Sequence, residues 1–149
     1  MTEILDKFNI CAIVGVVGSG IAHALGGWDA AIQTLLVFMA IDFVMGIVVS
    51  AVFKKSKKTD SGALNSGVCW KGIVKKICTL LLVVCGTYAD RLVGSDYIRN
   101  TLVIAFCTAE LISIVELAGL MGIMPEPVQK VLDKVIDVLN SKKGDSNDN

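Results

Sequence analysis

The chain has 149 residues, 54% hydrophobic and 19% charged, with as many acidic as basic side chains. A net charge of zero removes overall basicity as a reason to bind nucleic acid. Mean hydropathy is +0.68, and the apolar residues collect in long runs with charges clustered between them, which marks a polytopic membrane protein and excludes an ordinary soluble domain.

Residues 1–8 place Ile4, Leu5 and Phe8 on one helical face and Glu3, Asp6 and Lys7 elsewhere, predicting an amphipathic lead-in at the membrane interface. Residues 9–25 are the first apolar run. Gly26, Gly27 and Trp28 extend it to the headgroups, for a span over about residues 10–27. Small residues recur in it four apart, as Gly15/Ser19, Gly18/Ala22 and Gly20/Ala24, a spacing that lets helix backbones approach closely in lipid. Gly15, Gly18, Ser19 and Ala22 are thus candidate packing residues, weighed against the general abundance of Gly and Ala in membrane helices. Ala22-His23-Ala24 also fits a signal-peptide cleavage site, but Glu3 and Asp6 spoil the basic leader such a peptide needs. His23 reads as an interfacial residue rather than a ligand.

The second run, residues 30–53, carries Asp42 at its centre, with Gly46 one turn on leaving room beside the acid for a backbone, a side chain or water. The basic loop, residues 54–72, holds Lys54, Lys55, Lys57, Lys58 and Lys71 against Asp60 alone, and Lys75 and Lys76 follow at once. Short lysine-rich loops stay in the cytoplasm, so these lysines set the orientation, and a juxtamembrane role accounts for the charge without nucleic acid. The third span is predicted over residues 74–92. Lys75 and Lys76 snorkel back toward the loop side, and Asp90 and Arg91 mark the outer end as a candidate pair. Tyr97 and Trp28 fall at the outer boundary, where amphipathic aromatics belong.

The fourth span, residues 101–124, is long enough to cross a bilayer, yet it carries Glu110 and Glu116 with Ser113 midway. At 100° per residue these three fall within about a third of the helix circumference. A charge at mid-bilayer costs about 3 kcal/mol on insertion scales, against gains of about 0.3–0.6 for each Leu, Ile, Val or Phe. The stripe must therefore face protein, water or a proton, as a helix seam or as the wall of a pore. Asp42, Glu110, Ser113 and Glu116 are the candidate polar site.

Pro125-Glu126-Pro127 ends this span and starts an amphipathic cytoplasmic helix over residues 125–140. Val131, Leu132, Val135, Ile136 and Leu139 lie on one face of it, and a polar tail follows at 141–149. The expected fold is an all-α membrane protein with four spans and both ends cytoplasmic, or three spans with the N-terminus outside if the first run does not cross. The five cysteines form no CxxC and read as packing residues, and with a lone histidine they predict no metal or cofactor.

Several features resemble the bacteriophage holin family that includes the toxin-secretion holins, over residues 35–139. The resemblance rests on Asp42 with Gly46, then on Asn65-Ser66 before Lys71-Gly72-Ile73-Val74-Lys75-Lys76, and on Asp90 near the end of the next span. It rests most on Glu110-Leu111-Ile112-Ser113-Ile114-Val115-Glu116, followed by Gly122 and Pro125-Glu126-Pro127. The chain departs from the family pattern at Ala109 and Leu117, where the family often has Asn. The resemblance implies a small phage-encoded protein of the host cytoplasmic membrane that oligomerises in the bilayer. Its lesions would let a cell-wall hydrolase, or in some relatives a toxin, escape. No nucleophile–base pair, metal cluster or phosphate loop points to an enzyme. Two other classes fit the same acids: a small proton- or ion-coupled transport subunit and a purely structural membrane partner.

Overall fold

A computed structural model describes residues 1–56, 58, 61, 63, 65–131, 133, 134 and 137, and every regular element among them is helical. Helix α1 spans Thr2–Ala24 and α2 spans Ala30–Val48, carried on by a π-helical turn at Val49–Phe53. Helix α3 spans Ser66–Val93 and α4 spans Tyr97–Met121. The predicted lead-in is not a separate piece, because α1 runs unbroken from Thr2.

Three segments, Glu3–Ala24, Ala30–Phe53 and Tyr97–Met121, are long and apolar enough to cross a membrane. Helix α3 has 28 residues, about 42 Å at the α-helical rise, so length does not limit it. Lys71, Lys75, Lys76, Asp90 and Arg91 do, by diluting its apolar content. Where the sequence predicts four spans, composition carries three of the four helices unaided. Beyond Pro125, residues 126–131, 133, 134 and 137 are helical. Leu132, Val135, Ile136 and Leu139 of the predicted amphipathic face, the tail at 141–149 and Lys57 lie outside the described residues.

Local chemistry sets the boundaries. Asp29 caps α2 by accepting the N–H of Ile32 at 2.9 Å, and Asn65 caps α3 by accepting that of Gly67 at 2.8 Å. Helices α3 and α4 end on left-handed residues, Gly94 and Gly122, where the missing Cβ removes the steric cost.

Helices α2, α3 and α4 form a bundle in which α4 packs against both of the others, whereas α2 and α3 touch little. On α2 and the π-helical turn that continues it, the inward positions are Ile32, Leu35, Met39, Asp42, Gly46 and Val49, alternating by three and four as in a coiled-coil seam. On α4 the series is Arg99, Val103, Phe106, Glu110, Ser113, Leu117 and Leu120. The apolar core is built from Leu25, Ile32, Leu35, Met39, Val83 and Val103. In lipid such a core gains little from leaving its surroundings, so close packing and polar ties must hold it. Gly86 supplies the closest approach. A Cβ there would stand 2.7 Å from Leu102 Cδ1 and 3.3 Å from Arg99 Cα, so only a glycine lets α3 lie this near α4.

Helix α1 stands apart. Residues 3–21 are exposed wherever the side chain is described, and the chain rejoins the core at Leu25, 3% exposed.

Candidate functional site

The acids that the sequence leaves inside the bilayer meet a cation. Lys76 on α3 donates to Asp42 Oδ2 on α2 at 2.8 Å and to Glu110 Oε2 on α4 at 2.5 Å. The other oxygen of Asp42 accepts the hydroxyl of Ser113 on α4. Less than a fifth of each charged side chain is exposed, at 18% for Lys76, 11% for Asp42 and 15% for Glu110. One ammonium faces two carboxylates, leaving one surplus negative charge in the seam. Asp42 lies 13 residues into the chain from Asp29, about 20 Å at the helical rise, so the cluster sits near mid-depth of α2.

The heptad series explains why these groups meet. Asp42 and Glu110 occupy inward positions that would otherwise hold apolar residues, and Lys76 lies two turns before Val83 on the matching face of α3. Lysine's long apolar stem lets the ammonium cross the gap between α3 and α2.

A cavity of about 120 Å³ opens beside the cluster, room for several waters. Asp42, Lys76, Ser113 and Glu116 line one end, and Ser50, Ser56 and Lys58 carry the lining toward the basic loop. Gly46 borders it and meets nothing within 4 Å of a built Cβ, so the room predicted beside Asp42 is open space. On the other side of the cluster, Leu35, Met39, Val83 and Val103 are at most 5% exposed and form an apolar layer with Leu36, Leu80, Phe106 and Cys107.

A second polar knot closes the far end. Arg99 donates to the Leu25 carbonyl at 2.8 Å, to Asp29 Oδ2 at 2.7 Å and to Asn100 at 3.1 Å. Asp90 accepts the N–H groups of Ile98 at 3.0 Å and Arg99 at 2.8 Å, capping α4 from the preceding helix. The predicted Asp90–Arg91 pair is therefore not formed. A carboxylate gains more from the unpaired N–H groups of a helix start, and Arg91 donates instead to the His23 carbonyl at 3.0 Å, tying α1 to the bundle. A polar cavity of about 570 Å³ adjoins this knot, lined by Asp29, Thr87, Asp90 and Arg99 among others.

The hydrogen bond from Arg99 holds the Asp29 carboxyl below its ordinary pKa, with burial opposing it. A carboxyl lowered on folding contributes stability that is present above its unfolded value, about 3.9. That contribution is lost as pH falls through the lower folded value. Asp29→Asn keeps a capping oxygen but loses the charge, so its unfolding midpoint in detergent is expected to vary less with pH than the parent's below about pH 4. Parallel acid-range curves for the two proteins would show that the Asp29–Arg99 tie adds nothing.

Among the other predicted residues, Lys54, Lys55, Lys58 and Lys75 are exposed, while Lys76 is turned into the seam rather than toward the loop surface. Glu116 lines the cavity about one and two-thirds turns from Glu110. Gly15, Gly18 and Ser19 are exposed and Ala22 is half-buried, and a Cβ built on Gly15 or Gly18 meets nothing within 4 Å. Arg99 was not legible as a site residue, since it begins a helix beside a short polar link. The partnership of Lys76 had a signal: its heptad position matches that of the buried face of α3. Among the described residues no group of three or more potential metal ligands occurs.

Comparison with known proteins places this geometry in context. The profile of the bacteriophage holin family matches residues 19–141. The uncharacterized protein Lmo0128 of Listeria monocytogenes is 31% identical over 96% of this chain and 92% of its own length. The uncharacterized protein CPE0383 of Clostridium perfringens is 31% identical over 93% of this chain and 97% of its own length. The uncharacterized protein BH0965 of Halalkalibacterium halodurans is 31% identical over 87% and 90%. No solved structure matches the chain.

Proposed function

The chain belongs to the bacteriophage holin family, a family of non-enzymatic membrane proteins, and from that premise we propose that its copies assemble in the bacterial cytoplasmic membrane and open lesions. Through these a cell-wall hydrolase, or a toxin, leaves the cell. The observation that carries the proposal is the charged seam. Burying ions costs several kcal/mol each, and well-packed apolar residues in place of a buried ion cluster are often neutral or stabilising by about 1–4 kcal/mol. Stability alone therefore does not account for Asp42, Lys76 and Glu110. A second state in which they face water does, and a lesion supplies one.

While the protein is dispersed, Lys76 offsets one of the two carboxylates it bridges and α4 holds the bundle closed. On assembly the seam opens, and Asp42, Glu110, Ser113 and Glu116 line the wet surface. Helix α1, exposed along its small-residue face, provides the close contact between copies. Helix α3 crosses as a member of the bundle. Its loop-end lysines reach the headgroups, Lys76 is paired, and Asp90 and Arg91 reach the far boundary. All four helices then cross, with the lysine loop and both ends cytoplasmic.

The test is induced expression with a protein-sized cytosolic reporter. Glu110→Leu with Glu116→Leu is expected to insert at parental levels and release no reporter. Reporter release on the parental schedule from that double variant would mean that the acids do not line the opening. A second reading, a small proton- or ion-coupled transport subunit, draws on the cavity that ends at the charged cluster. It differs in giving selective ion flux with no escape of folded protein.

A further inference from the structure

The three-helix bundle has different ends on the two sides of its charged cluster. Toward the basic loop, polar groups punctuate a mostly apolar open path: Ser50 on the π-helical turn, then Ser56 and Lys58 beyond it, among Phe43, Ile47, Val68 and Leu120. The path ends at Asp42, Lys76, Ser113 and Glu116. Toward the other side, Leu35, Met39, Val83 and Val103 form an apolar layer, each between 0 and 5% exposed. Water reaches polar lining that offers several partners, and leaves apolar cavities dry. The outer polar cavity at Thr87 and Asp90 therefore lies behind an apolar plug that separates it from the cluster.

We infer that the charged seam is a proton site with one-sided access, exchanging protons with the lysine-loop side of the membrane and sealed from the opposite side. Glu116 is the group in the cavity best placed to take that proton. Asp42 and Glu110 are already engaged by Lys76, and Asp42 also by Ser113, whereas Glu116 has no ion-pair partner among the described residues. The charged and titratable groups around it come from every neighbouring element: Asp42 from α2, Lys58 from the loop, Cys69 and Lys76 from α3, and Glu110 on α4 itself. Proton binding at Glu116 removes a negative charge that competes for Lys76 and repels Asp42 and Glu110, so it tightens the closed seam, and loss of that proton loosens it. The seam thereby reads the acidity of one compartment. An intramembrane carboxylate reached from one side only also feels the membrane field along its access path.

The inference rests on the membrane placement proposed above but not on lesion formation, and the experiment separates the two. Full-length chains with all five natural cysteines replaced carry a single new cysteine at Ser50, Ser113, Val83 or Thr87. Each is placed in sealed vesicles of known orientation that retain an entrapped protein reporter, so that no lesion is present. A charged, membrane-impermeant thiol reagent is added to one side at a time. Ser50→Cys and Ser113→Cys are expected to react from the lysine-loop side alone, Thr87→Cys from the opposite side alone, and Val83→Cys from neither. Infrared absorption of a protonated carboxyl, assigned by its loss in Glu116→Gln, is expected to rise when the lysine-loop side is acidified and to stay constant when the other side is. Labelling of Ser113→Cys from the opposite side or from neither side, labelling of Val83→Cys, or a carboxyl band that follows the opposite compartment each overturns the inference. Any of these would leave the leakage test of lesion formation standing, and a failed leakage test would leave the labelling pattern standing.

Discussion

Lys76→Leu is expected to weaken the bundle more than any other single change, by about 3–5 kcal/mol, the usual cost of removing one partner from a buried ion cluster. The loss is large because the lysine serves two acids. Without it, Asp42 and Glu110 face each other across the seam as like charges in a low dielectric. The same lysine is the main tie between α3 and α2, which otherwise touch little. A lower midpoint in unfolding by a denaturing detergent, followed by the fluorescence of Trp28 and Trp70, checks this directly. A midpoint equal to the parent's would mean that Lys76 points to the surface and the seam is neutral without it.

The triple replacement Asp42→Leu, Lys76→Leu and Glu110→Leu is expected to reverse that loss and to abolish function together. All three charges leave at once, so no ion is stranded, and an apolar seam of similar bulk is expected to match or exceed the parent's stability by about 1–4 kcal/mol. Its detergent midpoint should therefore stand at or above the parental value. Its lesion activity should disappear, because a dry seam gains nothing from opening to water. Escape of the protein-sized reporter from cells making the triple variant would separate the charged cluster from the opening. The paired result, stability kept and release lost, distinguishes a functional cluster from a structural one. A structural cluster would lose both or neither.

The apolar runs were legible in composition alone, and the helix ends followed local signals such as the capping oxygens of Asp29 and Asn65 and the left-handed Gly94 and Gly122. The stripe of Glu110, Ser113 and Glu116 was legible because helical periodicity is a local property of one segment. The partner of the stripe was not, since a lysine next to a basic loop has a cheap local explanation in snorkelling, and only the packing of α3 on α4 turns Lys76 inward. Arg99 was hidden for the same reason. Its partners, the Leu25 carbonyl and Asp29, lie about 70 positions away and come together only when the α1–α2 turn folds over the start of α4. Asp90 shows the limit of pairing charges by proximity in sequence, because helix N–H groups on α4 outcompete the adjacent Arg91. That α1 stands apart could not be read from its composition, since small residues four apart describe a surface fit for contact without saying what touches it.

Whether the closed seam of the dispersed protein opens to water when the membrane fails is tested most directly at Val83, fully buried between the charged cluster and the polar cavity at Thr87 and Asp90. A Val83→Cys chain without other cysteines would be followed during induction, with thiol labelling and reporter escape measured in the same culture. The expected result is a shielded thiol until release begins and labelling that rises in step with it. Release of the reporter at full rate while the thiol at position 83 stays shielded would contradict the account.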